Sequence, residues 1–224
     1  MPSQQLSQRR PGRRSAFTIV ELLAVIGIIA LLLGLAFPAI SMVREESRST
    51  SCRSSLRQVG LALAAYRTNI GDRIPSCEPI PAVIGEDEVE GGLPEVLDGY
   101  VDTDCVCWLC ASDDDPESKS TGTSYLYVPG LLRYAPQVQI TVGQALVPMI
   151  TSGEYTPDQL ETFRRNFESR ELLGLFDHSR GRVLPLLVDS QDRHPNNQSV
   201  PRNGLFIDGS VGSLVEELGQ LEDG

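Results

Sequence analysis

From Phe17 to Phe37 the chain reads FTIVELLAVIGIIALLLGLAF, and this run limits the fold more than any other feature. As an α-helix at about 1.5 Å per residue it spans roughly 31 Å, close to the ~30 Å hydrocarbon core of a bilayer. Arg9, Arg10, Arg13 and Arg14 precede it with no acid among them. That asymmetry orients a membrane helix with its N-terminus in the cytoplasm and its C-terminal body outside. The whole chain carries 30 acidic and 19 basic side chains, for a net charge of −11. Such a balance argues against a nucleic-acid partner, which needs cations to neutralise phosphates. The chain therefore divides into a basic head, an apolar segment and an acidic body.

Glu21 breaks the apolar run near its cytoplasmic end. A carboxylate at the centre of a membrane helix costs on the order of 2.5–3.5 kcal/mol, and less near an end. One reading is a tolerated interfacial residue. The other gives Glu21 a cationic partner: cleavage before Phe17 creates an α-amino group at the same depth, and a neighbouring subunit's amine could meet this carboxylate. A charge pair in a low-dielectric layer offsets its burial cost and fixes axial register.

The segment Arg14-Ser15-Ala16-Phe17-Thr18-Ile19-Val20-Glu21-Leu22-Leu23 resembles the prepilin processing motif of type IV pilins and type II secretion pseudopilins. The resemblance implies cleavage by a membrane prepilin peptidase between Ala16 and Phe17, methylation of the new amine, and Glu21 as the fifth mature residue. The family usually has Gly where this chain has Ala16. Pro38 falls where many pilins carry a helix-kinking proline. A second likeness lies in Cys52-Arg53-Ser54-Ser55-Leu56-Arg57-Gln58-Val59-Gly60-Leu61-Ala62-Leu63, which is similar to a run in the pilin-like families of planctomycete-type bacteria. Cys110-Ala111-Ser112-Asp113 and Asn203-Gly204-Leu205-Phe206-Ile207-Asp208-Gly209-Ser210-Val211 resemble two further segments of those families, with His194 the candidate for a histidine that precedes the second. From about Pro136 to Arg182 there is no such likeness. A secretory signal peptide cut near Gly34-Leu35-Ala36 is the competing reading. Against it stand the length of the apolar run, Glu21 within it and Pro38 just after. A plain uncleaved anchor is the third.

Past Pro38 the helical pattern continues. Cys52, Leu56, Val59, Leu63 and Tyr66 recur at helical spacing and form one apolar stripe, with Arg53, Arg57 and Arg67 off it. Asn69-Ile70-Gly71-Asp72 supplies a stop. The expected organisation is a leader over 1–16, a transmembrane helix over 17–37, its amphipathic continuation over 38–68 and an α+β head over 69–224. In the head, Pro79 to Pro94 reads as an acidic loop, and Ser124 to Leu132 as a strand broken at Pro129-Gly130. Thr156-Pro157-Asp158 opens a helix that runs to about Leu173. Val183–Val188 and Gly204–Ile207 read as strands, the latter joined to Val211–Leu214 by an Asp208-Gly209 hairpin. The fold class is thus α+β: one long N-terminal helix packed on a small antiparallel sheet, as in pilins.

All five cysteines, Cys52, Cys77, Cys105, Cys107 and Cys110, follow the apolar run. Outside the cytoplasm they are expected to form disulfides, with connectivity open and at least one thiol free, paired between chains or bound to something else. Cys107-x-x-Cys110 offers only half a zinc site, and no βαβ pattern surrounds it to suggest a thioredoxin-like domain. Asp113, Asp114 and Asp115 are weak calcium candidates, although an acidic run is more often a solvated loop; no cofactor is otherwise expected. His178 and His194, with Asp177, Asp189, Ser190 and Asp192, include no nucleophile elbow, so no enzymatic activity is expected. The expected function is a structural subunit of a type II secretion pseudopilus or type IV pilus-like machine. It would sit in the inner membrane with its head extracytoplasmic, in company with the peptidase and other pilin-like subunits. The alternative is a membrane-anchored extracytoplasmic binding module that uses the pilin-type signal only for export.

Overall fold

The computed structural model describes residues 18–84, 88–178, 184–191, 193 and 202–214. The chain divides into two compact units, Met1–Val43 and Arg44–Gly224. One helix, α1 (Ile19–Ile70), contributes to both. In the first unit its apolar side chains, from Ile19 and Val20 through Ile28 and Ile29 to Leu33, are exposed on every face. Among the described residues no helix is long and apolar enough to cross a membrane. The stretch whose side chains are described without interruption ends at Gly34, while the helical backbone runs on to Ile70.

In the second unit, the stripe Cys52, Leu56, Val59, Leu63 is buried, joined by Ala62, with Tyr66 half-buried against Tyr100 in an edge-on contact at 5.8 Å. Each fully buried Leu or Val contributes roughly 1.5–3 kcal/mol relative to exposure. The helix ends as its sequence dictates. Gly71 and Asp72 adopt positive φ (78° and 52°), and the Asp72 N–H donates to the Arg67 carbonyl at 2.8 Å. That is a Schellman closure, which satisfies a terminal carbonyl. The Asp72 carboxylate then pairs with the Arg67 guanidinium at 2.5 Å.

The head is α+β. A small hairpin, β1 (Ala82–Ile84) with β2 (Glu88–Glu90), occupies what reads in the sequence as an acidic loop. There follow α2 (Gly92–Val96), a 3-10 turn (Val106–Trp108), α3 (Pro116–Thr121), β3 (Tyr125–Tyr127) and α4 (Val128–Leu132). The expected strand over 124–132 therefore stops at Tyr127. Pro129, near the start of α4, suits a helix beginning, where its missing donor is unneeded. A helical hairpin comes next, α5 (Pro136–Ser152) and α6 (Pro157–His178), turned by Gly153 at φ 70°. Thr156 caps α6 as expected: its hydroxyl accepts from the Gln159 N–H at 3.3 Å, while the Gln159 side chain accepts from the Thr156 N–H at 2.9 Å. The helix outruns its expected end at Leu173, and Leu172 and Phe176 enter the core.

A four-stranded antiparallel sheet is ordered β3-β4-β5-β6, with β4 at Leu187–Asp189, β5 at Asn203–Leu205 and β6 at Val211–Ser213. The Asp208-Gly209 turn is wider than a two-residue loop. Phe206 N–H donates to Ser210 O, Gly209 N–H donates to Phe206 O, and Gly209 sits at φ 80°. This is a three-residue turn closed by a left-handed glycine. Helix α1 approaches the sheet at Gly60, where an added Cβ would lie 2.8 Å from Leu205 Cδ1.

Candidate functional site

Ala16 and Phe17 lie outside the described residues, so the expected cleavage point is represented by its downstream side. There, Thr18 precedes the first helical residue of α1 and Glu21 stands three positions later. The Glu21 carboxylate Oε2 accepts from both the Thr18 N–H and the Thr18 hydroxyl, each at 2.9 Å, and the Glu21 N–H donates back to the Thr18 hydroxyl at 3.2 Å. This reciprocal capping box satisfies backbone donors that a helix start leaves open. Its Thr-x-x-Glu spacing is visible in the sequence, and Thr18 is the hydrogen-bond partner of Glu21 that sequence reasoning missed. Both bonds use Oε2; Oε1 takes no hydrogen bond among the described residues.

The cysteines resolve into two bridges. Cys52–Cys110 joins residues 58 apart, with Cα atoms 4.8 Å from each other, and ties α1 to the loop after the 3-10 turn. Cys105–Cys107 spans a separation of 2. Cys77 is the free, buried thiol, and burial pushes its pKa up to about 12. Trp108 is buried beside these bridges, and its indole N–H donates to the Asp102 carbonyl at 3.0 Å.

Of the three calcium candidates, two carry structural bonds. Asp113 pairs with Arg193 at 2.8 Å, both side chains almost fully buried (2% and 4% exposed). Asp113 also accepts from the Ser124 hydroxyl and from the Asp115 N–H at 2.9 Å. Burial pushes the Asp113 carboxyl up, but the bonds from Ser124, Asp115 and Ser118 and the Arg193 charge outweigh it and hold it below the usual range. Asp115 caps α3 through the Glu117 N–H at 3.0 Å and accepts from the Gln191 side chain. Among the described residues no group of His, Cys, Asp or Glu is gathered to hold a metal.

Arg193 extends this cluster to Ser118, Ser190 and the Ser124 carbonyl. Ser190 is thereby occupied as a hydrogen-bond partner of arginine, and Asp189, buried in β4, accepts from the Asn203 N–H at 2.8 Å. The side chains of Asp177 and His178, and residues Asp192 and His194, lie outside the described residues. A second buried charge sits in α6: Glu168, with no exposure, accepts from Arg133 at 3.0 Å and Ser76 at 3.0 Å, and lies 3.6 Å from Arg164. Arg164 stands four residues earlier in the same helix, but Arg133 follows α4, and it is this distant partner that no local sequence pattern supplies.

Compared with protein families, curated proteins and solved structures, the chain finds no match in any of the three.

Proposed function

We propose that the chain is a pilin-like assembly subunit, cut by a prepilin-type peptidase between Ala16 and Phe17 and polymerising through its N-terminal helix. The observation that carries this reading is Glu21, an acid in the first turn of a helix that is apolar all round through Leu33 and continues without a break to Ile70. A helix apolar on every face needs lipid or other helices around it. Within it, the Thr18 cap uses one carboxylate oxygen of Glu21 and leaves Oε1 to meet the methylated amine of a neighbouring subunit. The disulfides agree with a head on the oxidising side of the inner membrane. The role is structural rather than catalytic, and its partners are the peptidase and other pilin-like subunits.

Mass spectrometry of the membrane-extracted protein tests the reading. The expected mature N-terminus is N-methylated Phe17; an intact Met1, or a start near Phe37, overturns it. Glu21→Ala is expected to leave cleavage unchanged and to abolish incorporation into filaments, measured by shearing and sedimentation. Normal incorporation of that variant would leave export and anchoring as the only task of the signal.

A further inference from the structure

The two disulfides differ in what they can do for the fold. Cys52–Cys110 closes a long loop and so removes much freedom from the unfolded chain. Cys105–Cys107 encloses only Val106 and removes little. The loop holding it is already fixed by other bonds. Cys105 N–H donates to Asp102 O at 3.0 Å, Trp108 N–H donates to Cys105 O at 3.1 Å, and the Trp108 indole is anchored on Asp102 O. None of these depends on the sulfur–sulfur bond.

The pair is also asymmetric. Cys107 is buried (3% exposed), Cys105 is only partly buried, and Val106 between them is 80% exposed. The Cys107 N–H donates to Cys105 Sγ at 3.2 Å, a bond that favours negative charge on that sulfur once it is reduced. Cys105 is thus the more exposed residue of the pair, and its sulfur already has a hydrogen-bond donor, while Cys107 is buried.

We propose that Cys105 and Cys107 form a thiol–disulfide exchange site for small thiols and their disulfides, with Cys105 the sulfur that meets the external molecule. In the reducing direction an external thiolate attacks Cys105 Sγ. The Cys105–Cys107 bond breaks, and its electron pair goes to Cys107 Sγ, which takes a proton. A second external thiolate attacks the sulfur of the first, forming the external disulfide and releasing Cys105 as a thiolate. Two external thiols are oxidised and the protein disulfide is reduced by two electrons. In the other direction the Cys105 thiolate attacks an external disulfide and expels one external thiolate. Cys107, losing its proton, then attacks Cys105 Sγ, re-forms the Cys105–Cys107 bond and expels the second external thiolate. The absence of a thioredoxin-like βαβ frame does not bear on this, since the chemistry needs only the two sulfurs and access to one. Nothing in it depends on the assembly role of Glu21.

The test incubates the full chain, without denaturant, in buffers of reduced and oxidised glutathione, followed by acid quench, alkylation and peptide mapping. The Cys105–Cys107 pair is expected to equilibrate with the buffer while Cys52–Cys110 stays oxidised. Cys107→Ser should accumulate one glutathione on Cys105, and Cys105→Ser should carry at least tenfold less on Cys107. Three results would each overturn the proposal: a pair that reacts only after denaturant is added, a pair that reduces together with Cys52–Cys110, or equal adduct formation on either sulfur. The native chain alone decides the first two, so the proposal stays testable even if a variant fails to fold.

Discussion

At the scale of single residues, Asp113 shows how an acidic run can serve packing rather than ligand binding. Its sequence context, three aspartates before a proline, is that of a solvated loop. What decides its role is Arg193, eighty positions away, which no local pattern could supply. Breaking a buried pair by removing one partner costs about 3–5 kcal/mol, because the survivor is left uncompensated. Asp113→Asn is therefore expected to destabilise the head by about 3 kcal/mol at pH 7 in urea titrations. The sign of the pH dependence follows from the lowered folded-state value. The pair's contribution is full above the unfolded aspartate value of about 3.9 and is lost as pH falls through the folded value beneath it. The gap in stability between the native chain and Asp113→Asn should accordingly narrow below about pH 4. A gap that holds constant there would remove the ion pair from the explanation.

At the scale of elements, two glycines predict opposite tolerances. A Cβ at Gly130 in α4 would lie 2.6 Å from Pro79 N and 2.7 Å from Pro79 Cα, both backbone atoms that cannot give way. Gly130→Ala is expected to cost about 1–3 kcal/mol by overpacking. At Gly60 the nearest atom is the end of the flexible Leu205 side chain, so Gly60→Ala should cost less than half as much in the same denaturation assay. Elements also differ in how legible they were. The stripe of α1, its Gly71 stop and the Thr156 cap of α6 were readable because spacing and capping are local. Helix α5 was not: Val138, Ile140, Val142, Val147 and an internal Pro148 speak against a helix by propensity. Val138 and Val142, one turn apart and buried, show that packing overrode it. The strand ending at Tyr127 rather than Leu132 has a similar origin, since Pro129 fits a strand break and a helix start equally well.

On the scale of the whole molecule, Cys77 reports on the integrity of the head. It lies in the loop after α1, buried in the core of the head, so its thiol meets solvent freely only when that core opens. Burial raises its thiol from about 9 to about 12, which lowers the native thiolate fraction roughly a thousandfold at pH 8. Alkylation by iodoacetamide, read by mass spectrometry, should be at least a hundredfold slower in the native head than in urea. A raised folded value contributes stability that is complete below the unfolded value near 9 and is lost as pH climbs towards 12. Labelling of native protein at the unfolded rate would mean that the head opens locally at Cys77.

The sheet is closed by partners that are distant along the chain: Tyr125 of β3 pairs with Asp189 of β4, and the whole α5–α6 hairpin lies between them. The entropy of closing so long a connection depends only weakly on its length, about 0.6 kcal/mol for each doubling. The turn at Gly153, whose neighbours Ser152, Glu154 and Tyr155 are all exposed, is therefore the natural place to lengthen the chain. A fluorescent or affinity module spliced there would ride outside the sheet and leave both the N-terminal helix and the disulfide-bearing loop untouched. Under the proposed assembly role, tagged subunits could then be watched individually without altering the N-terminal helix.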